Sequence, residues 1–309
     1  MEAKHMKSYT IRLGADLKRY KYLYMMAVPV IMWYAVFCYA PLYGVQIAFR
    51  NFAPGRGITG SPFVGIKYFI DFFNGRYFSR TVRNTLFLSI YSTLFIFPLP
   101  IIFALMLNEV RHSLLRRVVQ TVSYLPHFIS LVVVCSLIRE FTSSSGLINN
   151  IGAFFGASRR SLLLLPRMFR TIYISSEIWQ ELGWNSIIYI AAITAIDQTQ
   201  YDAAAIDGAN RWQRIQHVTV PGIMPTVAIL FILRLGMMMS VGYEKILLLY
   251  NEAIYETSDT VSTYLYRKGL QEYNYGYSAA VGLFNSVINF ALVITANKLS
   301  RKLSGEGLW

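Results

Sequence analysis

Charge is scarce in this chain. Only 15% of its 309 residues are Asp, Glu, Lys or Arg, where a soluble domain carries about 25%. Cysteine is nearly absent. Cys38 and Cys135 both sit inside apolar runs, which excludes a disulfide framework or a thiolate metal site. Histidine is too sparse for a metal: His5, His112, His127 and His217 have no ligand spacing, and no Ser–His–Asp set can be assembled around them. The phosphate loop G-x-x-x-x-G-K-[ST] is also missing. Its nearest approach, GSPFVGIK at Gly60–Lys67, puts Ile66 where the lysine belongs. The chain is therefore not expected to bind ATP, a metal or another cofactor by itself. Internal repeats and low-complexity segments are absent, and no cleavable signal peptide is expected at the first apolar run.

What the sequence does have is hydrophobicity. Apolar residues make up 55% of the chain, and mean hydropathy is +0.41. Six stretches approach the roughly 20 residues that cross a bilayer: Tyr22–Phe49, Asn84–Leu107, Val118–Ile138, Ile172–Ile196, Gly222–Gly242 and Tyr277–Ala296. Pro29, Pro98, Pro100 and Pro126 fall within them. Such prolines suit a bundle whose neighbouring helices satisfy the freed carbonyls. The expected fold is all-α: a polytopic membrane protein of about six transmembrane helices.

The net charge of +13 does not point to nucleic acid, because the basic residues flank apolar runs and form no stripe. Lys4, Lys7, Arg12, Lys18, Arg19 and Lys21 precede the first span and favour a cytoplasmic N-terminus. Leu13, Leu17 and Tyr20 among them suggest a short helix on the membrane surface. Six spans then bring the C-terminus inside as well. Inside and outside segments carry Lys and Arg in equal number, so the outer loops are unusually basic. Arg50, Arg56, Lys67, Arg76, Arg80, Arg83, Arg139, Arg159, Arg160, Arg167 and Arg170 lie there, against Asp71 and Glu140. Charge of one sign concentrates ligands of the other, which suits an acidic cargo; lipid headgroups or an acidic partner face would serve equally.

Between the fourth and fifth spans lies YDAAAIDGANRWQRIQHVTVPGIMP. Ala203, Ala204 and Ala205 favour a short helix, with Asp202 near its positive end. Asp207-Gly208 is a turn signal. Asn210 can cap a second helical piece to His217, on which Trp212 and Ile215 share a face, and Pro221 is expected to punctuate the return to the membrane. The pattern is compatible with an ordinary interfacial loop. It also offers a small apolar knob fit for a socket on a soluble partner.

The spacing of this segment resembles the EAA signature of ABC importer permeases: E-A-A, three residues, G, nine residues, I-x-L-P. Asp202-Ala203-Ala204, Gly208 and Val218-Thr219-Val220-Pro221 occupy those places, with Asp for Glu and Val for Ile and Leu. RNTLFLSI (83–90), SYLPHFIS (123–130), WQELGWNSIIYIAAITAID (179–197), SVGYEKILLLYN (240–251), DTVSTYLYRKGL and YSAAVGLFNSVIN extend the likeness to the carbohydrate-uptake branch, close to permeases for pectin- and alginate-derived oligosaccharides.

The resemblance implies a permease domain over 22–296 with a coupling loop at 197–221, a cytoplasmic or interfacial segment at 1–21 and a cytoplasmic tail at 297–309. It also implies a multi-pass protein of a bacterial cytoplasmic membrane, not an enzyme. Its partners would be a second homologous permease, two ATPase subunits that hold ATP and Mg, and an extracytoplasmic solute-binding protein that delivers an oligosaccharide. Asp202, Ala203, Ala204, Asp207, Gly208, Trp212 and Pro221 would couple to an ATPase.

Intramembrane polar groups are costly and mark pathways or helix contacts. In the fourth span Glu177, Glu181 and Trp184 share a face by i, i+4 and i+3 spacing. Gln180, Glu181, Trp184, Asn185 and Ser186 supply the aromatic and planar polar groups that bind sugars, and Leu182-Gly183 matches the family's sugar-site dipeptide. Ser240 and Tyr243 are candidates from the next span. An interfacial aromatic belt accounts equally for Trp179, and a helix-end carboxylate near water for Glu181. Arg234 could pair with a carboxylate of the other permease. Asn285 and Asn289 read as interhelical hydrogen-bonders. An ion-coupled secondary transporter is the alternative class, but it gives the 25-residue signature no role.

Overall fold

The computed structural model describes residues 19–240, 242–305 and 307–308. These are helical, and their one isolated β-bridge joins Arg50 and Phe63. The chain forms two compact units, Met1–Lys67 and Tyr68–Trp309. In the first, helix α1 (Lys21–Tyr34) continues through a π-helical turn, Ala35–Tyr39, and a 3₁₀ stretch, Ala40–Phe49. This is the expected first span. The basic segment that precedes it lies outside the described residues, except for its last three positions.

The second unit is built from α2 (Phe78–Ile96), α3 (Pro98–Glu109), α4 (Ser113–Tyr124), α5 (Leu131–Thr142), α6 (Leu147–Phe154), α7 (Pro166–Thr194), α8 (Gln198–Ile206), α9 (Arg211–Arg214), α10 (Val220–Gly236), α11 (Tyr243–Leu249), α12 (Val261–Tyr266) and α13 (Tyr275–Ser304). Among the described residues, five segments are long and apolar enough to cross a membrane: Lys21–Phe49, Phe78–Glu109, Leu131–Phe154, Arg211–Gly236 and Tyr275–Lys302. The fourth expected span, α7, has the length, about 43 Å at 1.5 Å per residue. Its polar face lowers its hydropathy.

Three expected boundaries are corrected. Val118–Ile138 is not one helix. Pro126 sits in a 3₁₀ turn, Leu125–Phe128, and Ser130 starts a new helix by accepting the Val133 N–H. Apolarity masks the break, because a proline that lacks an N–H and a serine that caps have no hydropathic signature. The fifth span ends at Gly236 instead of Gly242, and Ser240 falls in a separate 3₁₀ turn, Met238–Ser240. Pro221 does not interrupt the chain. It takes the first turn of α10, directly after a π-helical turn, Ile215–Thr219. The wider π turn absorbs the missing N–H without a break.

Lipid tails are as apolar as leucine, so close approach and polar links must hold such helices together. Three links place the site. Ser89 of α2 donates to the Met238 carbonyl. Asn289 of α13 accepts the Met239 N–H at 2.9 Å and donates to Ser240 Oγ at 3.1 Å. Asn285, one turn away, reaches the same hydroxyl at 3.4 Å. The asparagine pair is interhelical, as its spacing suggested. At the other end of α2, Asn84 donates to the Glu256 and Asp259 carbonyls at 2.9 and 3.1 Å. The segment between α11 and α13 is thereby fastened onto α2.

Candidate functional site: a polar seam and a coupling loop

Helix α7 is the axis of the site, and a close approach sets its position. A Cβ on Gly183 would lie 2.2 Å from the Ser123 carbonyl oxygen, so only glycine lets α4 pack this tightly. Three residues on, Ser186 is fully buried and its hydroxyl donates to the Gly183 carbonyl at 2.6 Å. Neither group is free to meet a sugar. Leu182 is half-buried beside them.

The other face of α7 is polar and opens on cavities. The Pro126 turn brings His127 across from α7, where Nδ1 lies 3.0 Å from Glu181 Oε2. The imidazole stacks flat on Trp184, centroids 4.3 Å apart, and Phe128 meets the indole edge-on at 5.4 Å. One turn outward, the Lys245 ammonium is almost wholly buried. It donates to Glu177 Oε2 at 3.2 Å and lies over the Tyr173 ring at 5.4 Å. Glu177, Gln180, Glu181, His127, Tyr243 and Lys245 face one cavity of about 520 Å³.

A second, smaller cavity of about 160 Å³ shares Glu177 and Gly242 with the first and adds Ser92, Ser240 and Arg234. A third, of about 300 Å³, shares Arg234 and Met237 with the second and reaches Asn185 and Tyr189. The three form one seam along α7 and α10.

The structure therefore brings together Gln180, Glu181, Asn185, Ser240 and Tyr243, with Trp184 stacked at the edge, and assigns Gly183 and Ser186 to packing. It adds His127, Lys245 and Arg234. A charged residue inside an apolar run was the available signal for the last two. His127 carried no signal, because its partner is 54 residues away.

After α7 comes the segment 197–221. The Asp197 carboxylate caps α8 by accepting the Thr199 N–H at 2.9 Å, and Thr199 holds its pKa below the usual carboxylate range. Asp202 was expected near the helix start, but Asp197 takes that place. Asp202 lies mid-helix and exposed, accepting from Gln198 at 3.4 Å. Asp207 ends the helix and Gly208 follows at φ +77° with open space around it. Its requirement is a left-handed backbone, which side chains resist. Asn210 caps α9 reciprocally with Gln213, at 2.8 and 3.0 Å. Tyr201 Oη and Thr219 Oγ1, 2.9 Å apart, tie the two halves together. Ala203 is exposed and Ala204 half-buried, while Ile206 and Trp212 stand 87% and 66% exposed. That is a projecting apolar knob.

The basic residues of the loops expected outside are partly neutralised. Arg80 and Arg267 both pair with Asp259, at 2.8 and 2.9 Å, and Arg170 donates to Asn84 Oδ1 at 3.0 Å. Arg76, Arg83, Arg139, Arg159, Arg160 and Arg167 remain exposed.

Known proteins share this architecture. Residues 96–305 match the family model for binding-protein-dependent transport system inner membrane components. The polygalacturonan/rhamnogalacturonan transport system permease YteP of Bacillus subtilis (strain 168) is 42% identical over 299 residues, 96% of this chain and 93% of that protein. LplB of the same organism is 40% identical over 96% of this chain and 93% of its own length. A crystal structure of a bacterial alginate ABC transporter, in complex with a periplasmic protein bound to an alginate pentasaccharide, contains a chain with TM-score 0.88 and 45% identity. The match covers 96% of this chain and all of that one. The chain belongs to the family of binding-protein-dependent transport system inner membrane components: it is a multi-pass permease subunit of an ABC importer, not its ATPase.

Proposed function

We propose that this permease carries oligosaccharides, and specifically acidic ones of the pectin or alginate kind. A solute-binding protein delivers them from outside, and the chain works beside a second permease. Two relatives support the cargo class, because the names of both refer to uronate-bearing polymers: the polygalacturonan/rhamnogalacturonan permease and the alginate importer. The observation that carries the reading is the seam of cavities along α7, where aromatic and planar polar groups line a route through otherwise apolar helices. The exposed outer arginines raise the local concentration of an anionic cargo.

Coupling is assigned to 197–221. The knob of α8, with Asp202, Ala203 and Ala204, the Asp207-Gly208 turn and Trp212 enters a groove on an ATPase subunit, which holds ATP and Mg. Pro221, inside the continuous helix, transmits the motion without a hinge. The permease domain is 22–296, flanked by cytoplasmic segments at 1–21 and 297–309.

The test is the ATPase activity of the complete reconstituted complex, with loaded binding protein. Uronate oligomers should stimulate it more than neutral oligomers of equal length. Equal stimulation by the neutral set would refute the acidic cargo. No stimulation by any saccharide would refute the oligosaccharide reading.

A further inference from the structure

Arg234 is the basic residue of the inner part of the seam. It stands near the outer end of α10, 15 residues or about 22 Å of helix beyond Thr219. It is half-buried, and it lies where two cavities of the seam meet. It sits in the last turn of α10, where the negative end of the helix favours a cation. One Nη donates to the Ser92 hydroxyl. Among the described residues no carboxylate pairs with Arg234, and the acid on the same cavity wall, Glu177, is engaged by Lys245. A guanidinium offers five N–H donors in a planar fork, and Arg234 lines both inner cavities. Apart from Glu177, the lining around it is neutral and hydrogen-bonding or apolar: Ser92, Ser240, Tyr189, Asn185 and Met237.

We infer that Arg234 is the cargo-charge reader of the pathway: its fork binds the carboxylate of a uronate unit passing between the two inner cavities. A guanidinium meets a carboxylate with two parallel hydrogen bonds, a geometry that no neutral hexose can reproduce. The seam makes the position selective. The outer cavity presents the Glu177 and Glu181 carboxylates to the incoming chain; Lys245 pairs with the first, and His127 Nδ1 lies 3.0 Å from the second. Within the seam, Arg234 is a cation that no carboxylate among the described residues engages. Discrimination by charge then occurs inside the membrane, after delivery, and does not depend on the binding protein. This inference rests on the oligosaccharide-importer reading above.

The experiment uses the whole complex in proteoliposomes. The binding protein is loaded to saturation, checked by its fluorescence, with galacturonate or alginate oligomers of one length, either as free acids or as methyl esters. Saturation removes the binding protein's own preference from the result. The quantity read is the ratio of free-acid to ester uptake. Arg234→Gln should lower that ratio by roughly tenfold or more, the scale of one charge-assisted hydrogen bond. Arg234→Lys keeps the charge but loses the fork, and should hold the ratio within about threefold of wild type. An unchanged ratio in R234Q overturns the inference, and so does failure of both variants to assemble, which would place the guanidinium in the joint between the permeases. Wild-type complex that takes up neither form would overturn the importer reading and this inference with it.

Discussion

Asp259 is fully buried and holds two arginines. The Asp259→Asn variant keeps the side chain's shape and removes its charge. In the native protein Asp259 Oδ2 accepts from Arg80 at 2.8 Å and from Arg267 at 2.9 Å, while Oδ1 accepts from Thr263 at 3.1 Å. The guanidiniums cannot simply retreat to water. Arg80 Nε and Arg267 Nη1 are already buried without partners, and Tyr255, Tyr264 and Tyr77 cover the two planes. Breaking a buried ion pair from one side costs about 3–5 kcal/mol. Arg80 and Arg267 retain 28% and 18% side-chain exposure, which screens part of the stranded charge and favours about 3 kcal/mol. For a body of this size each kcal/mol shifts Tm by about 2–4 °C, so a fall of roughly 6–12 °C is expected in the detergent-purified complex. The pair of changes Asp259→Asn and Arg267→Gln should recover part of that loss, because one stranded cation is gone. A Tm within a degree of wild type in D259N, or a double variant worse than the sum of the singles, would refute the assignment of Asp259 as the anchor of this outer segment.

Three further outcomes are expected. Gly183→Ala should lower the yield of assembled complex, since its Cβ would sit 2.2 Å from a backbone oxygen of α4 and overpacking costs about 1–3 kcal/mol; size-exclusion profiles check this. Gly208→Leu and Ala204→Arg should each abolish uptake while the protein still inserts. The first forces a side chain into a positive-φ turn and the second puts a charge on the knob, so normal uptake in both would remove the coupling role from this loop. Asp197 has a depressed pKa, so its capping contribution is complete above the unfolded-state value near 4 and is lost as pH falls through the lower folded value. Amide exchange at Thr199 should accordingly stay protected from pH 8 to 5 in wild type, and Asp197→Ala should lose that protection throughout.

The parts of the fold that follow from local chemistry were readable in the sequence. The α7 face Glu177–Glu181–Trp184 came from helical spacing, the Asn210 cap from residue type, and the Gly208 turn from the Asp-Gly pair. The parts set by partners distant in the chain were not. His127 meets Glu181 across 54 residues and Lys245 meets Glu177 across 68, and no local pattern records either meeting. Asp202 was misplaced as the helix opener because a second acid, Asp197, stood one turn earlier and took the cap. The Val118–Ile138 run looked continuous because hydropathy is blind to backbone geometry. Its break at Pro126 is functional in position, since the turn it makes is what carries His127 to Trp184.

Helices and short turns join the pathway to the loop, and this connects the two halves of the proposed function. Helix α7 bears Glu177, Glu181 and Asn185 and ends at Thr194, three residues before the cap of α8. On the return, the chain is helical without interruption from Arg211 through the π turn to Gly236, and that stretch bears Arg234. The Tyr201–Thr219 hydrogen bond locks the two inner ends at 2.9 Å. In the proposed mechanism, a push on the knob at Ala203–Ile206 would pass through the short turns at 195–197 and 207–210 and shift both walls of the seam. The cavities between those walls are bounded by Glu177, Arg234 and Asn185, so the same shift changes their width where the cargo's polar groups would sit. The π turn Ile215–Thr219 lies on this route and itself holds Thr219, one end of the Tyr201–Thr219 hydrogen bond.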